Sequence, residues 1–198
     1  MQNLHFPLNF TFKILTPSND FSVLNAQGET VAYTRQKIFK IKESIEIFRN
    51  SSRSERLYTI KADRIIDFNA NYTVRNAQDQ VIGQIKRSGM KSLWQTSFTI
   101  MDAQGQTLYT MREKNPWVAV LDGIVGEIPV IGMLTGYFFN PGYGVTAPDG
   151  REVFLLRKQP SFFERKFSLE KTGPASAEDD VLVLNAAMML MLLERGDG

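Results

Sequence analysis

The stretch from Val181 to Leu193, VLVLNAAMMLMLL, limits what this chain can become more than any other, because it is apolar at every helical angle and broken only by Asn185. A helix with no polar face must be surrounded. Its ends carry helix-end signals: Ser176 stands three residues before Asp179 in a capping-box arrangement, and Glu178, Asp179 and Asp180 suit the positive first turn. Arg195 and Gly196 suit the stop. Thirteen residues rise only about 20 Å as a helix, against a bilayer hydrocarbon thickness of roughly 30 Å. The segment is therefore expected inside protein rather than across a membrane.

A chain of 198 residues with 43% hydrophobic residues can bury a sizeable core, and one domain spanning residues 1–198 is the natural expectation. The absence of cysteine excludes disulfides, thiolate zinc sites and cysteine nucleophiles, and fits a reducing cytoplasm. A formal net charge of +2 is not that of a protein living on nucleic acid, so any anionic partner must be met by a local patch. The opening MQNLHFPLNFTFKIL lacks a cationic first region and an unbroken apolar run, so no signal peptide is read there. A second apolar stretch, Trp117 to Phe139, carries Asp122, Glu127, Pro129 and several glycines, and reads as one or two short helices packed on the body.

From Leu8 to about Lys171 the pattern is short alternating runs separated by turn residues, an all-β meander of about twelve strands. Asn9 to Leu15, Ile38 to Lys42, Ser44 to Phe48, Leu57 to Lys61 and Ile65 to Phe68 are among the runs. Four hairpins share a pattern: FSVLNAQGETV from Phe21, YTVRNAQDQVI from Tyr72, FTIMDAQGQTL from Phe98 and YGVTAPDGREV from Tyr143. Seven positions after each aromatic stands Gly28, Asp79, Gly105 or Gly150, where a tight turn needs positive φ. Fourteen positions after it stands a base: Arg35, Lys86, Arg112 or Arg157. In the last three copies the alternate positions are apolar, which puts the bases on the outer face; Val31 and Tyr33 share the parity of Arg35 and leave the first copy open. In a meander these second strands run the same way, so the bases fall near the rim away from the turns.

About twelve antiparallel strands closed into a barrel leave a lumen too wide for their own side chains, and an apolar helix some 10–12 Å across fills it. Met188, Met189 and Met191 are adaptable fillers, and Ala186 and Ala187 allow close approach. The fold class expected is thus mainly β: a closed antiparallel barrel around a central hydrophobic C-terminal helix. The alternative, a helix lying on an open sheet, would leave an apolar face in water.

Lys91-Ser92-Leu93-Trp94, Asn115-Pro116-Trp117, GEIPVIGMLTGYFFNP from Gly126, QPSFFERKF from Gln159 and the closing MMLMLLERG resemble the LURP-one-related proteins and their bacterial relatives, which group with tubby C-terminal domains and phospholipid scramblases. The resemblance spans nearly the whole chain and implies the same helix-filled barrel of about twelve strands. Tubby domains are phosphoinositide-binding modules, and scramblases are linked to lipid movement and calcium. This chain has neither the cysteines scramblases use for lipid attachment nor a D-x-[DN]-x-[DN]-G calcium loop.

Catalytic constellations are thin. The single histidine, His5, has no partner near it in sequence, so a triad or a histidine zinc site has little to build on. The spacing of Gly123, Gly126, Gly132 and Gly136 matches no phosphate loop. Asp63 with Asp67, and Asp122 with Glu127, are pairs without a third ligand and read as caps, turns or ion pairs. Phe138-Phe139, Phe162-Phe163 and Trp117 read as packing residues. No enzymatic activity, cofactor or metal is expected.

The basic groups are the strongest candidates for a site. Lys86, Arg87 and Lys91 with Trp94 set three cations and an indole about Gly89, a composition suited to a lipid headgroup region. Arg35, Lys37, Lys40 and Lys42 form a second cluster, and Arg112 and Arg157 complete the repeated bases. The competing reading is that cations on outer strand faces keep sheet edges soluble. The expectation is a cytoplasmic, non-enzymatic module that binds anionic phospholipid or phosphoinositide headgroups at a membrane surface. The other reading is a scaffold that binds protein and no lipid. Nucleic acid is not an expected partner, and the sequence leaves the oligomeric state open.

Overall fold

A computed structural model describes residues 4–13, 19–36, 44–63, 70–88, 97–114, 142–159 and 164–196. The strands are β1 (Leu8–Lys13), β2 (Asn19–Leu24), β3 (Thr30–Gln36), β4 (Ser44–Phe48), β5 (Arg56–Ala62) and β6 (Asn71–Asn76). They continue with β7 (Val81–Ser88), β8 (Ser97–Met101), β9 (Thr107–Lys114), β10 (Gly142–Thr146), β11 (Glu152–Gln159) and β12 (Glu164–Lys171), followed by the helix α1 (Ala177–Gly196). Each strand pairs antiparallel with the next in sequence, and β12 closes on β1. The runs expected at Ile38 to Lys42 and Ile65 to Phe68, the Trp117 to Phe139 segment and the two phenylalanine doublets lie outside the described residues.

Following the registers once around the wall returns to β1 displaced by about twelve residues. With strands about 4.8 Å apart and residues about 3.3 Å apart along them, that stagger tilts the strands by roughly 35° and sets a backbone radius of about 11 Å. Such a cylinder is wide enough for one helix. Every residue from Val181 to Leu193 is at most 6% exposed, so α1 is buried on all sides. The wall faces it with Phe10, Val23, Ile47, Ile60, Val74, Ile85, Ile100, Met111, Val145 and Leu169.

The helix is seated against β7 and β8. A Cβ placed on Gly83 would stand 2.5 Å from Leu182 Cδ2 and 2.7 Å from the carbonyl oxygen of Met101 on β8. Asn185, the one polar interruption, is fully buried; its Nδ2 donates to the Val181 carbonyl at 2.8 Å while Oδ1 has no partner among the described residues. An unpaired buried amide oxygen costs about 1–3 kcal/mol. Asn185→Leu removes that oxygen while keeping the branched side-chain skeleton and is expected to raise stability by about 1 kcal/mol in denaturant unfolding; a lower midpoint at unchanged slope would show that the amide is satisfied or that the larger side chain is not accommodated.

The helix start is pinned at one end of the barrel. The Ser176 hydroxyl accepts from the Asp179 amide and the Asp179 carboxylate accepts from the Ser176 amide, both at 3.1 Å, which is the reciprocal capping box. Asp179 also accepts from the Tyr109 hydroxyl at 3.0 Å; burial, then this carboxylate, pushes that phenol up to about 12. Lys171 Nζ lies 2.7 Å and 2.9 Å from the two oxygens of Asp180 and donates to the Ala175 carbonyl. Burial raises the pKa of Asp180, and Lys171 opposes the shift.

The tight hairpins gather at this same end. Gly28, Asp79, Gly105 and Gly150 all have positive φ, between 59° and 86°. In the first three, the side-chain oxygen of Asn25, Asn76 or Asp102 accepts two backbone amides, as an Asx turn does. Each of the four also has a register irregularity beside its turn. The β4–β5 hairpin repeats the irregularity, with Arg53 at φ 56°. It is a longer fifth copy of the unit, concealed in the sequence because Ile45, not an aromatic, occupies the lead position and Lys61 follows it by sixteen positions instead of fourteen.

Candidate functional site

The residues that lead the repeat form one ring inside the wall. Phe21, Ile45, Tyr72, Phe98, Tyr143 and, on the closing strand, Phe167 are each at most 7% exposed and belong to the even-numbered strands. The base of each unit is paired in register with the residue just before the lead position. Arg35 stands opposite Asp20, Lys61 opposite Ser44, Lys86 opposite Asn71, Arg112 opposite Ser97 and Arg157 opposite Gly142. Since strand residues alternate between faces, an inward ring of lead residues dictates an outward ring of bases.

These bases share one height on the cylinder. Lys61 pairs with Thr73 of β6 while Lys86 pairs with Asn71, a step of two residues across two strands. The same step separates Thr99, opposite Lys86, from Ser97, and Gly144, opposite Arg112, from Gly142. One residue per strand is the stagger that carries the wall once around over twelve strands, so the steps cancel the tilt. Five of the six odd-numbered strands thus contribute a cation at this height, and β1 contributes Thr11, whose partners are Lys166 and Ser22. The belt lies within one or two residues of the strand ends, at the rim opposite the tight hairpins.

Arg35, Lys61, Lys86, Arg112 and Arg157 are all exposed. Among the described residues, none of them has a carboxylate within ion-pair distance. Other bases are engaged: Arg49 with Glu55, Arg56 with Asp79, Arg151 with Asp149, and Lys114 with Glu152 at 2.6 Å. The Lys114–Glu152 pair crosses β10 over Gly144, where an added Cβ would meet Glu152 Oε2 at 2.8 Å. Around Lys86, Arg112 and Arg157 the register partners are Asn71, Thr99, Ser97, Gly144, Gly142 and Ser168, none of them acidic.

The first copy, open in the sequence, is resolved by register. Phe21 and Val23 face the lumen and pair with Thr34 and Ala32, so Val31, Tyr33 and Arg35 share the outer face of β3. Tyr33 is nonetheless 6% exposed and donates to Asp20 at 3.2 Å; burial, then Asp20, raises its pKa. Arg87 has the parity opposite to Lys86, faces Phe98 in register and is half-buried, so it stands off the outer belt. Lys37, Lys91 and Trp94 lie outside the described residues, as do Lys40 and Lys42. Lys61 was the base the sequence pattern missed; the alternation of Ile60 inward and Lys61 outward was its signal.

Neither weak catalytic candidate assembles into a site among the described residues. His5 is exposed and its carbonyl accepts the Ala26 amide. Asp63 accepts the Asn71 amide at 3.2 Å, a turn bond. No described helix is long and apolar enough to cross a membrane.

No protein-family model and no curated protein matches the sequence. Among solved structures, the X-ray structure of the protein AT5G01750 from Arabidopsis thaliana is similar over 96% of this chain and 92% of its own, at 10% sequence identity and a TM-score of 0.49.

Proposed function

We propose that this chain is a non-enzymatic module of the LURP-one-related and tubby-like class that binds anionic phospholipid headgroups at a membrane surface, from the cytoplasmic side. The observation that carries the reading is the belt of five exposed bases held at one height without ion-pair partners among the described residues. Cations on outer strand faces have a ready explanation in open sheets, where they protect edges. A barrel whose last strand closes on its first has no edge, so that explanation does not apply to this belt.

Each base near an anionic surface adds about 1 kcal/mol, and the attraction decays over a Debye length of about 8 Å at physiological salt. Flotation with vesicles of phosphatidylcholine alone, and of phosphatidylcholine with about one third phosphatidylserine, is the direct test. The chain is expected to float with the second only and to be released by about 0.5 M salt, where screening shortens the range to a few ångströms. Equal recovery on both vesicles, or binding unaffected by salt, would remove the electrostatic mechanism. A stoichiometric protein partner retained at high salt, with no flotation, would favour the scaffold reading instead.

A further inference from the structure

We propose that the barrel meets its anionic surface end-on, its axis along the surface normal and the belt rim towards it, so that all five bases stand at one distance from that surface and contribute alike. This rests on the anionic-surface reading above and adds an orientation to it. The bases radiate from a convex wall of about 11 Å radius, so neighbours on alternate strands are roughly 11 Å apart at the backbone and farther apart at their tips. No single headgroup can be gripped by such a set. Approached from the side, a flat surface reaches the bases of two or three neighbouring strands and leaves the rest on the far side. Approached along the axis, a plane stands at equal distance from Arg35, Lys61, Lys86, Arg112 and Arg157, because the two-residue step between them cancels the strand tilt.

The other end of the cylinder bears the opposite sign. Each of the four aligned hairpins carries a carboxylate at or beside its turn: Glu29, Asp79, Asp102 and Asp149. Glu178 and Asp179 stand in the first turn of α1, pinned at that same end. Asp79 and Asp149 are neutralised by Arg56 and Arg151, whereas the belt bases have no such partner among the described residues. A molecule with a belt of cations near one rim and a cluster of carboxylates at the other is turned by a negative surface until the cationic rim leads.

The test is the distribution of effect around the belt, not the effect at one base. Five single variants, Arg35→Gln, Lys61→Gln, Lys86→Gln, Arg112→Gln and Arg157→Gln, are titrated with the same phosphatidylserine-containing vesicles at about 0.1 M salt, each with its unfolding midpoint checked against the parent. End-on docking predicts similar losses for all five, about five-fold each in affinity. Arg151→Gln at the opposite rim is expected to leave affinity within two-fold. Losses confined to Lys86, Arg112 and Arg157, with Arg35 and Lys61 silent, would mean side-on docking and overturn the proposal while leaving lipid binding intact. Competition by soluble glycerophosphoserine at the same total phosphate would point to a one-headgroup site and overturn it too. Absence of any binding by the parent chain would sink the underlying reading and the orientation with it.

Discussion

A chain ended before Val181 is expected to show no cooperative unfolding transition at all. Fully burying a Val, Leu or Met side chain is worth about 1.5–3 kcal/mol, so the apolar residues of Val181 to Leu193 together account for some 15–30 kcal/mol of transfer free energy. A domain retains only about 5–15 kcal/mol of net stability. Deletion also exposes the inward face of every strand to a water-filled lumen, so the loss exceeds that of the helix alone. Circular dichroism with urea titration is the measurement. A truncated chain that kept native-like strand signal and unfolded in one sharp transition would mean that the wall can collapse on itself and that the helix is an accessory.

The second large effect is expected at one glycine of the wall. Gly83→Val places a branched side chain where even a Cβ would stand 2.5 Å from Leu182 Cδ2 and 2.7 Å from the Met101 carbonyl oxygen. The leucine terminus can rotate away; the backbone oxygen belongs to the neighbouring strand and can yield only by distorting the ladder. A destabilisation of about 3 kcal/mol or more is expected, beyond the usual range for overpacking, and Gly83→Ala is expected to cost about half as much. Combining Gly83→Val with Leu182→Ala separates the two obstacles. Partial rescue is expected, because the smaller helix residue relieves the first clash and leaves the second. Full rescue would show that the helix alone sets the limit at this site; a neutral Gly83→Val would show that the helix is not seated against β7.

These effects bear on function through the belt. The outward cations owe their common height to the register, and the register is held by the inward lead residues packed on α1. A variant that loosens the helix is therefore expected to weaken surface binding without touching a base. Variants of the exposed bases should do the reverse, lowering affinity with little change in stability.

Much of this was legible in the residues before any coordinates. A segment apolar on every side, too short to span a bilayer and preceded by short alternating runs, has few solutions, and Val181 to Leu193 is buried as that reasoning required. The turn positions were equally readable, since Gly28, Gly105 and Gly150 occupy a backbone region most side chains avoid, and Asp79 tolerates it. The outward placement of Lys86, Arg112 and Arg157 followed from a two-residue period. What the chain alone could not yield was everything that depends on counting around a closed wall. Lys61 escaped because Ile45 replaces an aromatic and a longer hairpin sets Lys61 sixteen positions after it instead of fourteen, and Arg35 was undecided because β3 turns small Ala32 and Thr34 inward and bulkier Val31 and Tyr33 outward. Local sequence determines which face a strand residue takes and where the chain turns, because those are set by backbone sterics over a few positions. Whether five distant bases share one height is decided by closure and stagger, which sum the hydrogen-bond registers of all twelve strand pairs and exist only once the last strand has met the first.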